Sequence, residues 1–214
     1  MRMPEGASIS YPPISDLINP TWIPNNKRLL VLSIDNVITM SNALEPKRPH
    51  WFPESTLADL NKGLLLDVGC GIHFGIDNTL VDFLPNAYGI DPALLIDLKH
   101  RYGMGTPPKD KVVGGFSEDM PFNDKLFKWT LSLKCVGWYP NVTINPFWAI
   151  SEMVRVTEDG GLIMIHIGQS NENVQIILEA AQQVKNGPLG KRITSVDDFT
   201  FEDFPQVSIR LVDA

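Results

Sequence analysis

From residue 63 onward, apolar residues come in short unbroken runs separated by stretches whose apolar positions recur every three or four residues. The runs suit strands covered on both faces, and the spaced stretches suit helices that bury one stripe. This punctuation predicts strands over residues 64–68, 87–91, 111–115, 128–133 and 162–167, with helices over about 76–84, 93–102 and 147–156. Asn145 can cap the third helix, because Pro146 then lies in its first turn, where a missing N–H costs nothing. A Glu158-Asp-Gly-Gly161 turn should separate that helix from the strand after it. Ser170 or Asn171 can cap a further helix that places Val174, Ile177, Leu178, Ala181 and Val184 on one face, and Asn186-Gly187-Pro188 stops it. The tail carries two β-like runs, 194–201 and 207–212, joined by an acidic, proline-containing turn. Strands alternating with helices indicate a parallel α/β sheet.

The first fifty residues read differently. Eight of the seventeen prolines lie before residue 54, so this part should alternate extended pieces with at most one regular element, over residues 27–44. Leu30, Ile34, Val37 and Ile38 share a helical face, yet Leu29-Leu30-Val31-Leu32 alone suits a strand equally well. The division expected is an N-terminal extension or lid over residues 1–53 and one domain over 54–214, since 214 residues suffice for one full core and are too few for two generous ones.

Composition narrows the class. With 43% hydrophobic and 20% charged residues and a net charge of −7, the chain resembles neither a disordered nor a membrane protein. No apolar run approaches the ~20 residues of a membrane span. The acidic balance opposes a broad nucleic-acid footprint, although Lys99-His100-Arg101 with Lys109 and Lys111 could form a local patch. The two cysteines, Cys70 and Cys135, have the spacing of neither a zinc site nor a disulfide framework, and no metal is expected. Arg2 is followed by no apolar signal core, so a reducing cytoplasm is the expected home.

Chemistry concentrates in residues 63–75, Gly-Leu-Leu-Leu-Asp-Val-Gly-Cys-Gly-Ile-His-Phe-Gly, a buried strand running into a glycine-rich turn. Gly69 and Gly71 lack the β-carbon that would hold a ligand's polar groups away from the backbone. Asp91 follows Gly71 by twenty residues at the end of an apolar run, where a carboxylate can accept hydrogen bonds from both hydroxyls of a ribose.

These residues resemble the class I S-adenosylmethionine-dependent methyltransferases of the ubiquinone/menaquinone-biosynthesis type, over roughly residues 63–168. The segment Gly115-Phe-Ser-Glu-Asp-Met-Pro-Phe122 is similar to the family's adenine-side Gly-Asp-Ala-x-x-Leu-Pro-Phe, and Leu126-Phe127, the apolar run after it and the passage through Gly160-Gly161 follow in the family's order. The resemblance implies a Rossmann-like α/β fold, with a mostly parallel seven-stranded sheet covered by helices on both faces and one of the last two strands antiparallel. It implies S-adenosylmethionine as cofactor. Asp67 and the backbone of Gly69, Cys70 and Gly71, with His73 beside them, would hold its amino-acid part, and Asp91 its ribose. The backbone of Ser117 and Glu118 would edge the adenine between Pro92 and Phe116, and Leu133 or Lys134 would lie near the methyl-bearing sulfur.

Methyl transfer from a sulfonium is an in-line displacement governed by alignment, and a base helps when the nucleophile is a hydroxyl or an acidic carbon. His166, near the end of a strand, and Tyr139, just past another, are the candidate catalytic residues. Trp22, Trp51, Phe52, Trp138, Phe147 and Trp148 could line a small, apolar or planar substrate, or simply pack the extension onto the sheet. Three positions depart from the family's pattern: His73 replaces a third glycine, Phe116 an aspartate that meets the adenine amino group, and Lys128 the aspartate of Phe-Asp. They raise a rival reading, a methyltransferase-like scaffold without turnover. A nicotinamide-dependent oxidoreductase is a second rival, because Gly69-x-Gly71 with Asp91 approximates a dinucleotide fingerprint.

Overall fold

A computed structural model describes residues 11–22, 59–71, 80–95, 110–133, 135–136, 144–167, 171–201 and 204–213. The expected element over 27–44, and with it most of the extension, lies outside those residues. Seven strands form one sheet: β1 (Leu65–Val68), β2 (Ala87–Asp91), β3 (Val112–Gly114), β4 (Phe127–Leu133), β5 (Thr157–His166), β6 (Ile193–Phe201) and β7 (Phe204–Leu211). Their order is β3-β2-β1-β4-β5-β7-β6. The pairings from β3 through β5 are parallel, and β7 runs antiparallel to both β5 and β6.

Four α-helices are described: α1 (Ile14–Leu17), α2 (Leu80–Phe83), α3 (Pro146–Val156) and α4 (Asn171–Lys185). Side chains alternate across the sheet and build two cores. On one face Leu66, Val68, Ile163, Ile165 and Val207 pack with Ile150 and Met153 of α3 and with Ile177 and Ala181 of α4. On the other, Leu65, Leu131, Leu133 and Met164 meet Leu60, Leu80 and Leu84.

α3 forms where its capping chemistry dictates. The Asn145 side chain accepts from the N–H groups of Phe147 and Trp148 at 3.1 and 3.4 Å, with Pro146 in the first turn. The helix then passes directly into β5, and Thr157, the first residue of the strand, donates its hydroxyl back to the Met153 carbonyl at 2.6 Å. The expected turn at 158–161 is therefore a bulge inside a strand. Register along the β4–β5 pair moves from Phe127↔Thr157 to Trp129↔Leu162, two residues onward against five. Lys128 stabilises this bulge by donating to the Gly160 carbonyl at 2.9 Å and lying 3.5 Å from Glu158.

Two local expectations are corrected. After β2 the described chain makes a 3-10 turn, Pro92–Leu95, where a helix over 93–102 was expected; the rest of that range lies outside the described residues. Near the N-terminus, the proline-rich stretch contains α1, whose Ile14 and Leu17 are buried in the same core as Tyr88 and Phe122. Residues 11–22 follow the β3 side of the sheet: Ile14 N–H donates to the Asp110 carbonyl at 2.8 Å, and Ile18 forms an isolated antiparallel bridge with Phe122.

Candidate functional site

The sheet order reverses direction between β1 and β4, and in an open α/β sheet the crevice beyond the carboxyl ends of strands at such a point receives the ligand. There the glycine loop is stitched to the end of β2. Gly69 and Cys70 donate their N–H groups to the Ile90 carbonyl at 2.8 and 3.2 Å, and Gly71 donates to Asp91 Oδ2 at 2.9 Å. The loop and the acid twenty residues downstream thus form one unit. Gly69 and Gly71 have φ of +73° and +77°, the left-handed region that favours glycine.

At Gly69 the missing β-carbon serves protein packing, where the sequence suggested room for a ligand. A Cβ there would lie 2.4 Å from Cys135 Sγ and 2.5 Å from Cys135 Cβ. The other cysteine faces the opposite neighbour: a Cβ on Gly89 would come 2.6 Å from Cys70 Sγ, and that thiol, 2% exposed, donates to the Gly71 carbonyl at 3.4 Å. Any cofactor contact at Cys70 therefore falls to its backbone. Asp67 is fully buried in β1, in register with Gly89 and Leu131. Asp91 and Pro92 are half-buried at the rim.

The segment from Gly115 to Phe122 leaves β3 next to this unit, with Gly115 N–H donating to the Asp91 carbonyl at 3.3 Å. Residues 116–119 make a tight turn closed by Asp119 N–H on the Phe116 carbonyl at 3.2 Å. Phe116 is half-buried and Ser117 buried, its hydroxyl 3.0 Å from Glu118 Oε2. Glu118 also accepts through Oε1 from the backbone N–H of Asn145 at 3.1 Å, at the start of α3. Trp22 donates its indole N–H to Asp119 at 3.1 Å, which ties the N-terminal segment to the same turn.

Beyond the turn, Glu152 and Arg155 of α3 clamp the segment. Glu152 Oε2 accepts from Met120 N–H at 2.8 Å, and Arg155 donates to the carbonyls of Met120 and Phe122 and to Asp124. Burial alone would lower the Arg155 pKa, but its hydrogen bonds to Glu152 and Asp124 outweigh that and raise it, so the guanidinium stays charged. Sequence reasoning missed this clamp. The signal was an acid and an arginine three residues apart on one helix face.

Leu133, His166 and Gln206 stand side by side in register across β4, β5 and β7, so all three point to one face at the carboxyl ends of β4 and β5. Leu133 belongs to the apolar core, and His166 and Gln206 are buried. Gln206 was not anticipated, because the strand was expected to start one residue later. His73 and Tyr139 lie outside the described residues, as do Lys134, Trp51, Phe52, Trp138 and the patch from Lys99 to Lys109. The third departure, Lys128, sits at the start of β4, about 16 Å of strand from Leu133, and serves the β5 bulge. Among the described residues there is no cluster of His, Cys, Asp or Glu suited to a metal ion, and no helix long and apolar enough to cross a membrane.

No protein-family model matches the chain, and no curated protein matches its sequence. Solved structures do match in fold. A protein of Methanococcus maripaludis proposed to be an S-adenosyl-L-methionine-dependent methyltransferase is 14% identical, with a TM-score of 0.56 over 84% of this chain and 94% of its own. The 1,6-didemethyltoxoflavin-N1-methyltransferase of Burkholderia thailandensis, solved with bound 1,6-didemethyltoxoflavin and S-adenosylhomocysteine, is 15% identical, with a TM-score of 0.52 over 92% of this chain and 94% of its own. At such identities the likeness is one of fold, and the fold of this chain is the Rossmann-like class I methyltransferase fold.

Proposed function

We propose that this chain transfers a methyl group from S-adenosylmethionine to a small-molecule acceptor. The observation that carries the reading is the union of the glycine loop with Asp91 at the point where strand order reverses, through the Gly71 N–H on Asp91 Oδ2 at 2.9 Å. The unit fits the cofactor's polar half: Gly71, at φ +77°, presents backbone with no β-carbon in the way, and a half-buried carboxylate stands at ribose position. A nicotinamide-dependent reading is less well supported, because the usual dinucleotide order 3-2-1-4-5-6 has no antiparallel strand inserted before its last one. The adenine-side segment favours a domain of the ubiquinone/menaquinone-biosynthesis type.

S-adenosylmethionine, when bound, supplies an electrophilic methyl group on a positively charged sulfur. Asp67 and the backbone of residues 69–71 would hold its amino-acid part, Asp91 its ribose, and the backbone of Ser117 and Glu118 its adenine edge. The acceptor's lone pair would take that methyl group in line, with the electrons of the carbon–sulfur bond leaving on sulfur. Holding the acceptor in line is then the main task of the protein. An acceptor that must lose a proton would hand it to His166 or Tyr139.

Calorimetry tests the reading. S-adenosylhomocysteine should bind in the micromolar range, NAD should not, and Asp91→Asn should weaken binding while retaining an oxygen for the Gly71 N–H. Equal affinity in Asp91→Asn and Asp91→Ala, both far below wild type, would place the effect in the ribose contact. No binding in the wild type would remove the reading. Binding without turnover across an acceptor panel would favour the scaffold alternative motivated by His73 and Phe116.

A further inference from the structure

We propose that Glu118 is a positioning residue through which occupation of the adenine side sets the first turn of α3 and, with it, the exposed indole of Trp148. The inference rests on the S-adenosylmethionine reading above. Glu118 has its backbone in the turn that would edge the adenine, while its carboxylate reaches out of that turn to the backbone N–H of Asn145 at 3.1 Å. Asn145 in turn holds the N–H groups of Phe147 and Trp148. Hydrogen bonds through Asn145 therefore link the carboxylate of Glu118 to the backbone of two residues whose aromatic side chains pack edge to face at 5.0 Å. Trp148 is 54% exposed, whereas the next residues of the helix, Ala149 and Ile150, are fully buried, so the indole can shift without disturbing the core.

The rest of the helix is fixed. Glu152 and Arg155 bind Met120, Phe122 and Asp124, which locks the second half of the segment to the later turns of α3. Within α3, movement of residues 116–118 on ligand binding then reaches the first turn through Glu118. A carboxylate at a helix N-terminus is stabilising in itself, so a purely structural role must be told apart from a coupling one.

The experiment labels the full chain with 5-fluorotryptophan, assigns the Trp148 resonance from Trp148→Phe, and titrates with S-adenosylhomocysteine to calorimetrically confirmed saturation. The wild-type Trp148 resonance should shift on binding. The shift should vanish in Glu118→Ala and return in Glu118→Gln, whose amide oxygen can still accept from Asn145. Should Glu118→Ala fail to bind, the same question is put from the helix side: Asn145→Pro, which removes the N–H, should abolish the shift, and Asn145→Ser, which keeps both the N–H and a capping oxygen, should not. A Trp148 resonance that stays put in saturated wild type, or moves equally in Glu118→Ala or Asn145→Pro, overturns the proposal while leaving the cofactor reading intact. Absence of S-adenosylhomocysteine binding in the wild type overturns both.

Discussion

Replacing Gly69 by alanine tests the glycine loop most directly, because the structure supplies both the strain and the clash. At φ +73° an alanine incurs about 1–2 kcal/mol of left-handed backbone strain, offset by the ~0.4–1 kcal/mol that losing a glycine removes from unfolded-chain entropy. The new Cβ would lie 2.4 Å from Cys135 Sγ and 2.5 Å from its Cβ, and overpacking of that kind costs about 1–3 kcal/mol. Together these give a loss of roughly 1–5 kcal/mol. Cys135→Gly removes both clashing atoms, so the double variant should regain the steric part and keep the backbone part. Urea denaturation of wild type, both single variants and the double variant closes the cycle, with an expected coupling of about 1–3 kcal/mol. Where the loop yields locally and the fold does not, the same energy appears in S-adenosylhomocysteine affinity, at tenfold per 1.4 kcal/mol. Additivity within about 0.5 kcal/mol in both measurements would refute the argument that Cys135 fills the space a β-carbon would need.

Three further outcomes follow from the charged and polar contacts. Burial, with Asp110, Tyr11 and Asp16 nearby, pushes the Tyr88 phenol up to about 12, so its contribution is fully present below pH 10 and is lost as pH rises toward 12. Burial lowers the pKa of Lys111, whose ammonium lies 4.5 Å from the centre of the Tyr88 ring, and that acts in the opposite sense; Tyr88→Phe should therefore flatten the alkaline fall in denaturation midpoint, and an unchanged slope would contradict the assignment. Hydrogen bonds from Lys125 and then Arg192 hold the Asp159 carboxyl below its ordinary value of 3.8. Its stabilisation is present above that value and lost as pH falls through the lower folded one, so Asp159→Asn should reduce the acid dependence of the midpoint. Arg155→Ala takes the charged donor from Glu152, which keeps the Met120 N–H, and from two carbonyls, and should cost about 2–4 kcal/mol in urea denaturation, against under 1 kcal/mol for an ordinary exposed pair.

What could be read in the sequence was what local chemistry dictates. β1 ran into its loop because Leu64 to Leu66 is a continuous apolar run and Gly69 cannot be replaced without strain; α3 began at Asn145-Pro146 because a cap and a proline leave few alternatives. The β5 bulge could not be read that way. Glu158-Asp-Gly-Gly161 has the composition of a turn, and only Lys128 from the neighbouring strand and Val212 beyond β7 make it part of a sheet. The same division runs through the site. Asp91 was legible from its spacing, since a strand, a turn and a helix take up a nearly fixed length of chain. The reach of Glu118 to Asn145 was not, because its partner is a backbone N–H twenty-seven residues away, a donor that every residue but proline carries. Long-range contacts to backbone leave no mark in residue identity. In this chain they join the turn at residues 116–119 to the helix that carries Trp148, a link that residue identity alone does not reveal.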